Sequence, residues 1–479
     1  TGKGTWMKLF SAGLAVLLAA SSVSAVEMPA FFSDNMVLQR DAQVPLWGTG
    51  APGEVIQVEF QNQKLSTTVD DSGNWSVPLK PMPADRKPGV LKVAGKNTLT
   101  FSNVLVGDVW LCAGQSNMQF ELRRVTGGAA FVAKADQPEI RLLQIPRVWS
   151  RTPQRNVKAA WAVCSPKTVG RFSAVAYLVA RDLAARLNVP IGVIDISWGG
   201  CRIEAMTTRQ AFRKASVNDE VAAAAEQEFV KLDKTADPDL RKDKQRLPGV
   251  LYNAMVHPLT PMAVRGMLWY QGEDNHSESM RYAEKLKALA YAWRQAFCKE
   301  DLPIFIVQLP PWQYGNEDPV RIPKFWEAQQ YFAEHDRNAG FIVATDCGDP
   351  ADIHPKDKAP LAARLANLVL FKEYGLGDDS VLAPVFRQAR RVNGAVEVEF
   401  DHANGLKTRD GKGVSHLMLA GADGKFHPAT GEIRSDRLIV RSPEVPEPEQ
   451  IRFGWDKLAN PNLVNRAGVP AAPFEKRIP

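Results

Sequence analysis

The sequence lacks the close pairs of cysteines and histidines that usually bind zinc. Its five cysteines and seven histidines are widely scattered, without a CxxC or CxxH spacing and without an HExxH pair. Because zinc ligands generally come in such pairs, the pattern argues against a metal hydrolase. The odd number of cysteines also excludes a complete disulfide framework, so one or two bridges can form at most and at least one thiol stays free.

The sequence also lacks a strong charge and long hydrophobic runs. A formal charge of +6 is spread over 479 residues without a Lys/Arg cluster, so no nucleic-acid partner is expected. The apolar run at residues 9–20 is short for a membrane span, and no stable membrane insertion is expected. What remains is a composition typical of globular proteins, with 45% hydrophobic and 23% charged residues. The length predicts two or three domains.

The first 25 residues resemble a tag followed by an export signal. Residues 1–6 precede a better-formed start at Met7, where Lys8 supplies a short basic region ahead of the apolar run. The small residues at 21–25 offer a cleavage site after Ala25. Residues 1–25 are therefore predicted to be a tag remnant and signal peptide, with the mature protein exported to the periplasm or the extracellular space.

The two ends of the remaining chain share one type of hydrophobic pattern. Residues 26–103 and 379–479 alternate apolar and polar side chains in short runs, separated by turns rich in Gly, Pro and Asp. Alternation of this kind is typical of half-buried β-strands. The sequence therefore predicts β-sandwich-like modules at both ends.

The middle zone, residues 104–378, has nearly continuous apolar runs instead. They lie at residues 104–112, 191–196, 267–270, 304–307 and 341–345, and helical patterns lie between or after them at 173–187, 277–297, 325–335 and 360–374. Such runs suit strands that are buried on both faces, which indicates an α/β domain around a parallel sheet. A charged, alanine-rich stretch near 205–250 is predicted to be an insertion into this domain.

Polar and glycine residues directly follow four of the five predicted strands. They are the strings AGQSNM at 113–118, SWGG at 197–200, QGEDN at 271–275 and DCGDPADIHP at 346–355. Ligands of an open α/β sheet bind at the carboxyl ends of its strands, so these side chains are expected at one edge. Acyl transfer needs a hydroxyl nucleophile, a base and donors for the oxyanion, and Ser116 is the candidate nucleophile. Taken alone, it fits a helix cap equally well.

Four sequence blocks resemble one known family. The string GDVWLCAGQSNM at residues 107–118 is similar to the nucleophile block of the sialate O-acetylesterase family, a branch of the SGNH hydrolases. The strings WGGCRIEA at 198–205, WYQGE at 269–273 and IHPKDK at 353–358 resemble its later blocks, in the same order. The resemblance implies a flavodoxin-like parallel sheet flanked by helices, and a serine-dependent carbohydrate O-acetylesterase that uses no metal, nucleotide or redox cofactor.

The resemblance also implies roles for individual residues. Ser116 would be the nucleophile and His354 the general base. The oxyanion would be held by the backbone N–H of Ser116, by that of Gly200 (with Gly199 as the weaker choice) and by the side-chain amide of Gln271.

The acid that orients the histidine is open between several carboxylates. SGNH enzymes usually place an aspartate three residues before the histidine, where this chain has Ala351. Asp352 is the first choice, because residues two apart in an extended segment point to the same side. Glu273 is the main alternative, because related enzymes use the glutamate of this block. Asp346 and Asp349 are further candidates.

The neighbouring Asn117 is predicted to stabilise the nucleophile turn by bonding to local backbone. Within the family, the flanking β-modules make the chain similar to carbohydrate acetylesterases that act on plant cell-wall hemicellulose. This resemblance implies acetylated xylan or xyloglucan as the substrate, with O-acetylated sialic acid as the alternative. Other functions consistent with the pattern are a lipase or thioesterase, a serine peptidase, or a polysaccharide-binding protein whose esterase domain is inert.

Overall fold

The computed structural model describes residues 1–2, 25–236 and 243–479. Nearly all of the predicted tag remnant and signal peptide, and part of the predicted insertion, lie outside these residues. Within the described ranges, no helix has the length and apolar character needed to cross a membrane.

The N-terminal zone consists of short strands and one long strand that continues into the next domain. Its strands are β1 Val37–Gln39, β2 Val44–Thr49, β3 Val55–Phe60, β4 Gln63–Thr68, β5 Asn74–Leu79, β6 Asp85–Ala94 and β7 Thr98–Gly114. The first half of β7 pairs with β6 and β1, and its second half lies in the central sheet. The boundary predicted between residues 103 and 104 therefore falls inside a strand. The strands on both sides of it share one hydrophobic core.

The central sheet is built on the predicted apolar runs. Its further strands are β8 Ile140–Gln144, β9 Trp161–Val163, β10 Ile191–Ser197, β11 Gly266–Tyr270, β12 Ile304–Val307 and β13 Ala339–Ile342. They lie in the order β13-β12-β11-β7-β10-β8-β9, parallel except for β9. The five predicted strands are β7 and β10 to β13. If they alone are numbered 1 to 5 along the chain, they lie side by side in the order 2-1-3-4-5, which is the strand order of flavodoxin. The predicted fold class is confirmed.

Helices flank this sheet. They are α1 Ser116–Gln119, α2 Gly128–Ala133, α3 Ala174–Leu187, α4 Arg209–Lys214, α5 Asp219–Lys234, α6 Arg281–Ala296, α7 Arg321–His335 and α8 Ala359–Tyr374. Helix α3 packs against α8, and α6 packs against α7. The stretch predicted as an insertion contains α4 and α5, while its residues 237–242 lie outside the described part of the chain.

The ends of the long helices follow ordinary capping chemistry. The Ser173 hydroxyl accepts a hydrogen bond from the Ala176 N–H at 3.1 Å at the start of α3. Helix α8 has a proline in its first turn and ends at Gly375, whose φ of +64° is in the left-handed region. Both signals are typical of helix boundaries.

The C-terminal zone is a β-module with a core of its own. Its strands are β14 Val385–Val392, β15 Ala395–Asp401, β16 Lys407–Thr408, β17 Leu417–Ala420, β18 Phe426–Pro428, β19 Thr430–Arg434, β20 Arg437–Arg441, β21 Gln450–Phe453, β22 Leu463–Val464 and β23 Phe474–Arg477. Two four-stranded sheets, β14-β15-β20-β19 and β18-β17-β21-β23, supply most of the buried residues. A small apolar cluster that includes Val343 and Val469 joins this module to the central domain.

Candidate active site

The nucleophile turn lies at the point where the strand order of the sheet reverses. Strand β7 has β10 on one side and β11 on the other, and it ends at Gly114. Gly114 has a φ of +145°, and a Cβ there would lie 2.0 Å from the Tyr270 carbonyl oxygen. Only glycine fits such a close approach of two backbones. The turn delivers Ser116 to the first position of α1, where ligands of α/β sheets bind.

The structure brings Ser116 and His354 together across 238 residues of sequence. The His354 Nε2 lies 2.8 Å from the Ser116 Oγ. This distance allows the imidazole to accept the hydroxyl proton. Burial is the main cause that lowers the pKa of His354, and the positive charges of Lys358 and Arg124 add to it, while Asp352 opposes them. A lowered pKa favours the neutral imidazole that a general base requires.

Of the proposed carboxylates, Asp352 is the one that lies within 4 Å of the imidazole. Its Oδ1 is 3.8 Å from the His354 Nδ1, and the same oxygen accepts the His354 backbone N–H at 2.9 Å. The longer distance exceeds a hydrogen bond. Asp352 therefore fixes the backbone of His354 and acts on the ring through its charge.

The competing carboxylates have other partners. Glu273 is buried and accepts a hydrogen bond from the Asn117 side-chain amide. Asp346 pairs with Arg364 at 2.8 Å. Asp349 accepts the Ala351 backbone N–H at 2.9 Å. Within the described residues, none of the three is joined to His354 by a hydrogen bond or an ion pair.

Two backbone N–H groups near the nucleophile have no acceptor among the described residues, those of Ser116 and Gly200. Ser116 is the first residue of α1, so its N–H has no acceptor within the helix. A Cβ placed on Gly199 would lie 3.3 Å from the Ser116 Cβ. The glycine pair at residues 199–200 therefore lies next to the nucleophile turn. The Gly199 N–H donates to the Gln119 side chain at 2.7 Å, whereas the Gly200 N–H has no acceptor among the described residues. The geometry therefore favours Gly200 over Gly199 as an oxyanion donor.

The side chain of Gln271 is hydrogen-bonded within the protein through both ends of its amide. Its Nε2 donates to the Cys201 carbonyl at 3.0 Å and to the Asn275 Oδ1 at 2.8 Å. Its Oε1 accepts from the Tyr282 hydroxyl at 2.6 Å. Because both amide hydrogens have protein acceptors, the buried amide braces the loop after β11. The oxyanion role of Gln271 stays a prediction, and it would require one of these hydrogen bonds to be exchanged.

Two residues at the site, Asn117 and Lys358, have contacts that the sequence did not predict. Asn117 does not bond to its own turn: its side chain joins Glu273, the Ile353 carbonyl and Lys358. Lys358 is a charged residue with 1% of its surface exposed. Its place in the IHPKDK string, five residues from Ile353, was the one signal available.

Two cations lie at the rim of the site without partners of opposite charge. The Arg124 Cζ is 4.7 Å from the centroid of the Phe120 ring, which stacks 6.1 Å from the His354 ring. The Lys244 Nζ is 5.6 Å from the centroid of the ring of Trp198, the residue that precedes the glycine pair. Neither cation forms an ion pair or a side-chain hydrogen bond with the described residues. Both are therefore available to a ligand.

A cavity of about 680 Å³ adjoins the histidine loop. Its polar lining includes Thr126, Asp349, Asp352, Lys356 and Asp357. Side chains of this kind bind hydroxyl groups rather than hydrocarbon, so the cavity is no acyl channel of the type a lipase needs.

Comparison with known proteins identifies the family of the chain. Residues 106–370 match the model of a family described as carbohydrate esterase, sialic acid-specific acetylesterase. The sialate O-acetylesterase of Rattus norvegicus is 27% identical over 97% of this chain and 98% of its own length. The human sialate O-acetylesterase is 29% identical over 70% of this chain and 68% of its own length.

A solved structure gives the same assignment over nearly the whole chain. A carbohydrate acetylesterase from Xanthomonas citri superposes with a TM-score of 0.85 at 34% identity, covering 94% of this chain and 99% of its own. The family match alone spans more than half of the 479 residues. The chain therefore belongs to the sialic acid-specific acetylesterase family of carbohydrate esterases, and the protein is a carboxylic ester hydrolase.

Proposed function

We propose that the enzyme removes acetyl groups from carbohydrate hydroxyls by way of an acetyl-enzyme on Ser116. The observation that carries this proposal is the 2.8 Å distance between the Ser116 Oγ and the His354 Nε2 at the switch point of the sheet. In the first step, His354 takes the proton of Ser116 as its Oγ attacks the acetyl carbonyl. The ester bond to the sugar then breaks, and His354 returns the proton to the sugar oxygen.

In the second step, water is activated by His354 and hydrolyses the acetyl-enzyme, which releases acetate and restores Ser116. The negative charge that develops on the carbonyl oxygen in both steps would be held by the N–H groups of Ser116 and Gly200. The charge of Asp352 would stabilise the transient imidazolium of His354.

The substitution Ser116→Ala tests this mechanism. It removes the nucleophile without changing the packing of α1, so acetate release should fall by about 10³-fold or more. The assay is hydrolysis of p-nitrophenyl acetate, with the thermal unfolding midpoint as the control for folding. A variant that hydrolyses the ester at the wild-type rate would show that another group is the nucleophile.

We further propose O-acetylated sialic acid as the substrate class. The curated relatives that cover most of this chain are sialate O-acetylesterases. Sialic acid carries a carboxylate, and Arg124 and Lys244, which form no ion pair with the described residues, offer it cationic partners.

Acetylated hemicellulose, xylan or xyloglucan, is the second candidate, and a different observation favours it. The aspartates that line the cavity beside His354 suit a neutral, hydroxyl-rich sugar better than an anionic one. The Xanthomonas citri relative, at 34% identity more similar in sequence than the rat enzyme at 27%, is described as a carbohydrate acetylesterase.

The substitution Arg124→Gln separates the two candidates. If Arg124 binds a substrate carboxylate, KM for 9-O-acetyl sialic acid should rise about tenfold, while KM for neutral p-nitrophenyl acetate stays constant. The matched control is Arg123→Gln, because Arg123 already pairs with Glu121 at 2.7 Å. Acetate release from acetylated xylan and xyloglucan is measured in parallel. Faster release from these polymers, with sialate hydrolysis indifferent to Arg124, would favour hemicellulose.

The same panel addresses the remaining alternatives. A preference for p-nitrophenyl octanoate over the acetate would indicate a lipase or thioesterase, and glycan binding without any hydrolysis would indicate an inert binding protein.

Export through the segment that ends at Ala25 is likewise proposed, and N-terminal sequencing of protein recovered from the periplasm or medium would test it.

A further inference from the structure

A lysine ammonium group lies buried directly behind the active site. Lys358 is 1% exposed, and its Nζ lies 5.4 Å from the centroids of both the Phe120 and the Tyr270 rings. The Phe120 ring in turn stacks against the His354 ring. Burying a charge costs free energy unless partners compensate it, so such a lysine needs an explanation in structure or function.

The hydrogen bond of this ammonium group goes to Asn117. The Lys358 Nζ donates to the Asn117 Oδ1 at 2.5 Å. An ammonium group can only donate, so the amide oxygen of Asn117 must face it and the NH₂ group must point the other way. The orientation of this amide is thereby fixed by chemistry.

The amide hydrogens of Asn117 reach two other loops. The Nδ2 donates to the Ile353 carbonyl at 3.0 Å and to a carboxylate oxygen of Glu273. Asn117 directly follows the nucleophile Ser116, and Ile353 directly precedes His354. One side-chain amide therefore links the backbone of the nucleophile turn to that of the histidine loop.

We propose that Lys358 and Asn117 are positioning residues, in which Lys358 orients the Asn117 amide so that it holds the histidine loop at hydrogen-bonding distance from Ser116. The inference rests on the proposed roles of Ser116 and His354. Neither residue is assigned a contact with the substrate. Both act by holding the Ser116 Oγ and the His354 Nε2 at the distance of 2.8 Å.

The charge of Lys358 has a second effect on the base. The charged groups that act on His354 are Asp352, Lys358 and Arg124, and the two cations help burial to lower its pKa. Those acting on Lys358 are Glu273, Asp352 and the Cys347 thiol, and burial lowers the pKa of Lys358 to about 8. The ammonium group is therefore positive over the pH range in which His354 gains and loses its proton.

The test is the pH dependence of kcat/KM for p-nitrophenyl acetate in Lys358→Met. The acid limb reports the pKa of the free base, and loss of the cation should move it to higher pH. Loss of the amide's orientation should lower kcat at the plateau about tenfold, with KM nearly unchanged. The matched control is Lys372→Met, 14 residues after Lys358 and within α8, the helix that Lys358 precedes. The Lys372 ammonium group donates to the Ala339 carbonyl. The control should keep the wild-type profile.

A second variant covers the case in which Lys358→Met does not fold. Asn117→Asp has the same shape and keeps an acceptor for Lys358, but it loses the donor to Ile353, so kcat should fall about tenfold or more in a folded enzyme. The double variant should be no slower than the slower single variant, because both changes break one linkage. Wild-type kcat and acid limb in the folded single variants, or effects that multiply in the double variant, would overturn the inference.

Ser116→Ala, assayed alongside, distinguishes failure of the proposed function from failure of the positioning roles of Lys358 and Asn117. Residual activity at the wild-type rate in this variant would refute the proposed function itself. If it is inactive while Lys358→Met and Asn117→Asp behave like the wild type, only the positioning inference fails.

Discussion

His354 lies between charges of opposite sign, and this arrangement sets the pH dependence of the enzyme. Burial, Lys358 and Arg124 lower its pKa, and Asp352 raises it. Since the neutral imidazole is the active form, kcat/KM should rise as the pH increases through a pKa below the ordinary value of about 6.5. Asp352 is the charged group that raises this pKa, so removing its charge should lower the pKa of His354.

In Asp352→Asn the acid limb of the kcat/KM profile should therefore move to lower pH. The plateau of kcat should fall about tenfold to hundredfold, because the imidazolium formed during the reaction loses its negative neighbour. The loss should stay below that of a triad with a direct hydrogen bond, because the two groups are 3.8 Å apart. Glu273→Gln is the comparison: a larger loss there, with the acid limb of Asp352→Asn unmoved, would transfer the role to Glu273.

At this scale the sequence predicted that Ser116 and His354 lie together, which the structure shows, but not the contacts that hold them in place. Ser116 and His354 stand in recognisable strings at strand ends, which topology brings to one edge. The partners of Gln271 and Asn117 are a carbonyl, a carboxylate and an ammonium group from distant segments. Spacing does not reveal which amide hydrogens such partners occupy, so an oxyanion donor and a brace look alike in the sequence.

At the scale of elements, the cap of α3 is also a support of the nucleophile turn. The Ser173 hydroxyl accepts from the Ala176 N–H at 3.1 Å and donates to the Met118 carbonyl in α1 at 2.6 Å. Ser173→Ala should destabilise the protein by about 1 kcal/mol through the lost cap. It should also lower kcat several-fold, because α1 loses an anchor two residues from Ser116.

Thr208→Ala is the matched control for this prediction. Thr208 caps α4 by accepting the Ala211 N–H at 3.2 Å, with no bond to the active site. The two variants should show similar shifts in the urea midpoint, measured by circular dichroism, but only Ser173→Ala should turn over more slowly. Equal kcat in both variants would show that the bond to Met118 does not support the turn.

Strand β8 was not predicted from the sequence, and there is a physical reason for this. Strand β8 reads IRLLQ, and a charge inside a short apolar run argues against a buried strand. Arg141 is nevertheless 2% exposed, because its guanidinium donates to the carbonyls of Pro138, Asn35 and Asn103. Two of these acceptors, Asn35 and Asn103, come from the N-terminal zone, so only the folded chain shows that the charge is satisfied.

At the scale of the whole molecule, the two β zones differ in how they depend on the central domain. The N-terminal strands share the core of the α/β domain, and β7 belongs to both. The C-terminal module has its own core. Its Lys457 ammonium donates to the carbonyls of Gly315 and Glu317, and the Glu317 carboxylate lies 2.9 Å from the His276 ring beside Glu273.

Two truncated chains test this difference. A chain of residues 98–479 leaves the first half of β7 without β6 and β1 and exposes the shared core, so it should be insoluble or unfolded. A chain of residues 26–378 keeps that core intact, so it should fold and hydrolyse p-nitrophenyl acetate. Its turnover should be lower than that of the full chain, because the loop at residues 315–317 loses Lys457. Circular dichroism and acetate release measure both outcomes. A folded 98–479 chain, or a 26–378 chain that unfolds, would mean that the division of the molecule into one large and one small core does not govern its stability.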